Sequence, residues 1–239
     1  MILLAVDTAL DACAAAVAFE RDGAVEVVGE TEVIGRGHAE CLMRVVETVL
    51  ARAGVAHADL DGYAVSIGPG SFTGIRVGVA AVRGFALAAG KPAVAVGSLE
   101  ALAAEARVLA PGRAVVAALD ARKDEVYAQG FAVDGSPLAV PFVAAATRAA
   151  AHAAETGAVV IGSGAPLLAA IDPALAVLAA APFPAVETIA RLALPRLAAA
   201  VPGRDLPSPL YVRAPDAKPQ GAARLARLTP GGLATTGVP

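Results

Sequence analysis

Leu3-Leu4-Ala5-Val6-Asp7, near the start of the chain, has a counterpart in Val116-Ala117-Ala118-Leu119-Asp120, a second apolar run that closes on aspartate. The two aspartates stand 113 residues apart. Two further pairs keep almost the same spacing, Phe19 with Phe131 and the turn dipeptide Asp22-Gly23 with Asp134-Gly135, each 112 residues apart. Three matches in register read as a duplicated strand–aspartate–hairpin unit. Such a unit predicts two related lobes that face one another.

Working outward from these runs, strand and helix signals alternate. Ile2 to Val6, Ala12 to Phe19 and Val25 to Val33 read as strands, with Arg21-Asp22-Gly23 turning the second into the third. Helical spacing runs through Cys41, Leu42, Val45, Val46, Val49 and Leu50 and ends near Gly54. Tyr63 to Ile67 is a strand, Val77 to Ala89 a helix, and Ala93 to Val96 a short strand. Ser98 is placed to cap a helix through Leu109, because its hydroxyl can accept the first free N–H bonds. The pattern restarts after Pro111-Gly112 with Ala114 to Leu119 and a second hairpin, then a helix from Thr147 to Thr156 and a strand from Ala158 to Ile161. A last amphipathic helix covers Val186 to Ala200, with Pro195 expected to kink or divide it. Leu210 to Arg213 could form a short strand, and the stretch after Gln220 reads as a mobile tail.

Composition excludes several classes. The chain of 239 residues is 57% apolar, much of it alanine, and has enough sequence for one large domain or two modest ones. Ile2 to Val6 is cut by Asp7 and lacks the preceding basic residues of a signal peptide. Val77 to Ala89 carries Arg83, and no uncharged stretch of about 18 residues appears elsewhere. A soluble, cytoplasmic protein with no membrane contact is expected. The net charge of −3 leaves no general basic footprint for nucleic acid. The two cysteines, Cys13 and Cys41, read as buried free thiols.

The string Gly68-Pro69-Gly70-Ser71-Phe72-Thr73-Gly74-Ile75-Arg76-Val77-Gly78 joins a strand to a helix. A glycine-rich turn at a helix start leaves N–H groups free beside the positive end of the helix dipole, which suits an anion. It equally suits a junction where missing side chains let another backbone come close. The string lacks the lysine of a P-loop, and its third glycine comes one residue late for the dinucleotide pattern.

These residues resemble a known family. The glycine string, Leu3 to Thr8, Gly37-His38-Ala39-Glu40-Cys41-Leu42 and Pro209-Leu210-Tyr211-Val212-Arg213 are similar to the TsaB (YeaZ) family over roughly residues 1 to 215. The resemblance implies an α/β, actin-like ATPase fold (ASKHA, RNase H-like) of two related lobes with mixed sheets flanked by helices. It further implies a non-catalytic subunit of bacterial tRNA threonylcarbamoyladenosine synthesis that pairs with the catalytic relative TsaD, assisted by TsaE, with TsaC or a relative supplying threonylcarbamoyl-adenylate. A homodimer is implied when TsaD is absent, and tRNA is met only indirectly or weakly.

The residues agree with a lost active site. The catalytic relative carries a metal-binding histidine pair, and the matching place here reads Gly97-Ser98-Leu99-Glu100-Ala101-Leu102, which has no imidazole. His38, His57 and His152 are widely separated, so no metal site is expected. Asp7 and Asp120 lack the glycine that lets backbone approach a phosphate, and each reads better as the cap of a turn. Ser66, Ser71 and Ser98 have no histidine near in sequence, so no protease constellation can be read.

If chemistry is absent, surfaces carry the function. The Cys41 to Leu50 helix and the Thr73 to Ala89 helix are apolar on more than one side, which calls for more than one neighbour. A partner surface is expected from Leu42, Val45, Val49, Val79, Val82 and Phe85, rimmed by Arg76 and Arg83. Charges at Val79 and Phe85 are expected to stop pairing without unfolding the chain. Asp7, Gly68, Gly70, Ser71, Thr73 and Gly74 are the candidates for an anion or a nucleotide, with ATP or ADP shared at the partner interface and none bound by the chain alone. The lobes are expected at 1–105 and 106–215, with the last helix packing back toward the first lobe and 216–239 as the tail. The alternative from another class is a stand-alone actin-like ATPase or small-molecule kinase.

Overall fold

The computed structural model describes residues 1–179, 182–204 and 206–213. The first sheet has five strands, β1 (Ile2–Asp7), β2 (Ala12–Arg21), β3 (Ala24–Val33), β4 (Gly62–Ser66) and β5 (Ala93–Val96), in the order β3-β2-β1-β4-β5. β1 and β2 pair antiparallel with Ile2 opposite Phe19, and β4 and β5 add parallel to β1. Because side chains alternate along a strand, a run that is apolar throughout needs cover on both faces. Leu4 and Val6 point to α1 (His38–Ala53) and α2 (Phe72–Ala89), where Val45, Val49, Ile75, Val79 and Val82 complete one core. Leu3 and Ala5 point to the opposite face and form a second core with other residues.

The second half repeats the plan. β6 (Val115–Asp120), β7 (Glu125–Phe131), β8 (Phe142–Ala145) and β9 (Val159–Ile161) form a sheet in the order β8-β7-β6-β9. Val115 stands opposite Phe131 as Ile2 stands opposite Phe19. α4 (Ala146–Thr156) and α5 (Ala165–Ile171) cover one face. The other face is covered by α3 (Ser98–Leu109), which follows β5 of the first sheet. In return α6 (Val186–Leu197), the last helix, fills the second core of the first sheet with Val186, Ile189, Ala190, Ala193, Leu194 and Leu197. Each sheet therefore borrows a helix from the other half of the chain, on the actin-like two-lobed plan that the resemblance implies.

Several local expectations are corrected. α2 begins at Phe72, inside the glycine string, because the Ser71 hydroxyl accepts a bond from Gly74 N–H at 3.3 Å and caps the helix there. The cap of α3 is Gly97, whose N–H donates to the Glu100 carboxylate at 3.4 Å; Ser98 is already helical, and its hydroxyl meets that of Ser66 at 3.1 Å. α5, short and weakly patterned, is absent from the sequence reading, and β8 is the return strand of the second hairpin, for which the sequence offers no bounds. Leu210 to Arg213 is not a strand, and Pro195 lies in the last turn of α6, which ends at Leu197. α2 is long and apolar enough to cross a membrane by composition, yet it packs on β4 and carries Arg76 and Arg83. The expected tail at 216–239 lies outside the described residues.

Candidate functional site

The glycine string is filled by the chain's own backbone. A methyl group on Gly70 would lie 2.1 Å from the Ala9 carbonyl oxygen, and one on Gly74 would lie 2.0 Å from that of Thr8. Gly68 faces the Ile75 side chain in the same way, at 2.6 Å. Hydrogen bonds seal the junction: Ser71 N–H donates to Ala9 O at 2.7 Å, and the Thr8 hydroxyl donates to Gly74 O at 2.8 Å. The missing side chains thus seat α2 against the β1–β2 turn. Only Gly70, Ser71, Phe72 and Thr73 of the string reach the cleft between the lobes.

The two repeat aspartates cap their turns alike. Asp7 accepts from Ala9 N–H at 2.8 Å, and Asp120 accepts from Arg122 N–H at 2.7 Å. Their surroundings differ. Asp7 is buried beneath the glycine string, and that burial pushes its pKa up to about 6, against the opposing pull of Ala9 N–H, Ser66 and His38. Asp120 is exposed in the cleft, where its N–H donates to the Ser163 hydroxyl at 3.1 Å. His38 is the buried first residue of α1 and bonds Leu10 O at 2.8 Å, and Cys13 and Cys41 are buried free thiols. Among the described residues no three His, Cys, Asp or Glu side chains are grouped to hold a metal.

The cleft has a volume of about 630 Å³. Ser71, Phe72 and Thr73 line it from the first lobe, and Arg122, Tyr127 and Ser163 from the second, with Arg213 beside them. Arg122, Lys123 and Asp124 turn the β6–β7 hairpin with φ of 64°, 55° and 58°, a left-handed run that costs energy for residues with a Cβ. This turn holds Arg122 at the cleft rim, a position that the sequence reading missed. Its one signal was the absence of glycine after Asp120.

The expected partner residues divide sharply. Leu42, Val45, Val49, Val79 and Val82 are all buried in the first core. Phe85 is half-buried, its ring 5.8 Å from that of Tyr63 and 5.3 Å from that of His57. Only Arg76 and Arg83 are exposed. Apolar side chains one helical turn apart are drawn into the chain's own sheet, so these positions are not open to a partner. Thr73, Arg76, Ala80, Arg83 and Leu87 follow one another at three- and four-residue steps along the exposed side of α2, with Gly84 beside Arg83. Leu87 is 83% exposed.

The family model of TsaD, tRNA N6-adenosine threonylcarbamoyltransferase, matches residues 31–193. Two curated relatives named tRNA threonylcarbamoyladenosine biosynthesis protein TsaB are similar over 127 residues, the Haemophilus influenzae protein at 36% identity and the Escherichia coli protein at 38%. Each match takes in 53% of this chain, and the chain spans about half the length of these relatives (52% and 53%). The solved structure of YeaZ from Pseudomonas aeruginosa superposes with a TM-score of 0.73 and 32% identity, covering 88% of this chain and 99% of that one. With its doubled sheet, its borrowed helices and this near-complete match, the chain belongs to the TsaB (YeaZ) family, within the wider group that the TsaD model describes.

Proposed function

We propose that this chain is a non-catalytic subunit in the synthesis of tRNA threonylcarbamoyladenosine in the cytoplasm. The observation that carries the proposal is the glycine string: it is occupied by Thr8 and Ala9, while the helix it seats leaves Ala80, Gly84 and Leu87 exposed beside Arg76 and Arg83. Small residues let a second helix approach closely, and Leu87 supplies apolar area to bury. In this reading the outer face of α2 docks TsaD, or a second copy of the chain when TsaD is absent. TsaE joins the assembly, tRNA is met through it, and any ATP or ADP is shared at the interface. The names of the relatives support the pathway. Reconstitution tests the proposal. With threonylcarbamoyl-adenylate, TsaD and TsaE supplied, tRNA is modified only when this chain is added, and the chain alone modifies none. Modification by the chain alone, or undiminished modification without it, overturns the reading.

A second reading, a stand-alone ATPase or small-molecule kinase, is favoured by the cleft, which Ser71 and Thr73 line from the first lobe and Arg122 from the second. Calorimetry with ATP and magnesium separates the two. Micromolar binding by the isolated chain supports the second reading, and its absence supports the first.

A further inference from the structure

Residues 206–213 tie the two lobes together along the edge of the cleft. Leu206 packs against the first core, and Pro207 is buried. Leu210 N–H then donates to Ile67 O at 2.9 Å. Next, Arg76 Nε donates to the Tyr211 hydroxyl at 2.8 Å, with its guanidinium 3.7 Å from the centre of the Phe72 ring; the Phe72 and Tyr211 rings lie 5.4 Å apart. All these contacts belong to the first lobe. Two residues later the segment grips the second lobe: Arg213 donates to Ala121 O at 3.1 Å, pairs with the Glu125 carboxylate and stands 5.7 Å from the Tyr127 ring. Phe72, Ala121, Tyr127 and Arg213 all line the cleft.

The tether is short. Two residues of extended chain span at most about 7 Å, so the lobes can part only slightly before one grip breaks. A cation stacked on an aromatic ring and bonded to a hydroxyl, and a second cation held by a carboxylate and a carbonyl, resist that separation at either end. We propose that residues 206–213 form a clasp that fixes the separation of the lobes and must release at Tyr211 or at Arg213 before the cleft opens. The two grips act as one unit, so loss of either loosens the other. Arg76 also lies on the outer face of α2. A partner that takes Arg76 therefore frees Tyr211, a step that rests on the docking face proposed above, whereas the clasp itself does not.

Hydrogen exchange on the full chain tests this. Tyr211→Ala and Arg213→Ala are each expected to speed exchange roughly tenfold both in the clasp and in residues 121–127, with protection in β1 and β2 unchanged. Small-angle scattering should show a larger radius of gyration for both variants. Faster exchange confined to the substituted end, or no change, overturns the clasp. If an alanine variant loses protection throughout, Tyr211→Phe and Arg213→Lys, which keep the packing and weaken single bonds, decide the same question by the same two peptides. With TsaD added to the wild type, a complex in which clasp exchange rises supports the partner step. A complex in which the clasp stays protected refutes that step alone, and failure to form a complex refutes the docking face.

Discussion

At Gly74 the first turn of α2 passes the Thr8 carbonyl with no room for a methyl group. Gly74→Ala must therefore push the helix off the β1–β2 turn and break the Thr8 hydroxyl bond, at a cost of about 3 kcal/mol or more. For a chain of this size that lowers the melting temperature by about 6–12 °C. Scanning calorimetry checks this, and an unchanged midpoint would show that the glycine serves something other than packing. Asp7 lies directly below. Its raised folded pKa means that the fold prefers the protonated acid, so its stabilising contribution is complete below pH 3.8 and is lost as pH rises through about 6. Asp7→Asn keeps an acceptor for Ala9 N–H and removes the buried charge. It should raise stability by about 2–3 kcal/mol at pH 7.5 and leave it nearly unchanged at pH 4. Denaturant titrations at the two pH values read this directly. The glycine string was visible in the sequence, but its occupant was not. An anion and a backbone carbonyl call for the same missing side chain, and only the fold brings Thr8 and Ala9 to the place.

For the helix α2, the question is which side does what. Apolar residues occur all round it, so their period marked it as a helix with more than one neighbour without telling the sheet-facing side from the free side. The structure puts Ile75, Val79 and Val82 inward and leaves Ala80, Gly84 and Leu87 outward. A charge at Val79 or Val82 therefore cannot act as an interface variant. Val82→Asp buries an unpaired carboxylate and should destabilise the monomer by about 3–5 kcal/mol, seen as a lost or strongly lowered thermal transition. Leu87→Glu at the 83% exposed position should shift stability by no more than about 0.5 kcal/mol. A pair of melting curves that did not separate these two variants would contradict the assignment of faces.

Across the whole molecule, the exchange of α3 and α6 makes each lobe depend on the other half of the chain. Residues 1–112 without α6 leave Leu3, Ala5 and Val96 uncovered on one face of the first sheet. Neither half should fold alone, and the two co-expressed should restore the native spectrum. A well-dispersed amide spectrum from either half by itself would contradict this. The duplication was legible because it rests on local chemistry, aspartates that cap turns and Asp-Gly dipeptides that reverse strands. Half of the helix exchange, the return of the last helix to the first lobe, was expected; the placing of α3 on the second sheet was not, since nothing in a helix sequence says which of two similar sheets it will cover. In the proposed reading the outer face of α2 is what this fold presents to a partner, and a single titration checks it. Wild-type chain and the Ala80→Glu/Leu87→Glu double variant are titrated into TsaD by calorimetry, with their melting temperatures measured alongside. Saturable binding by the wild type and none by an equally stable variant is the predicted result; equal binding by both would contradict the account.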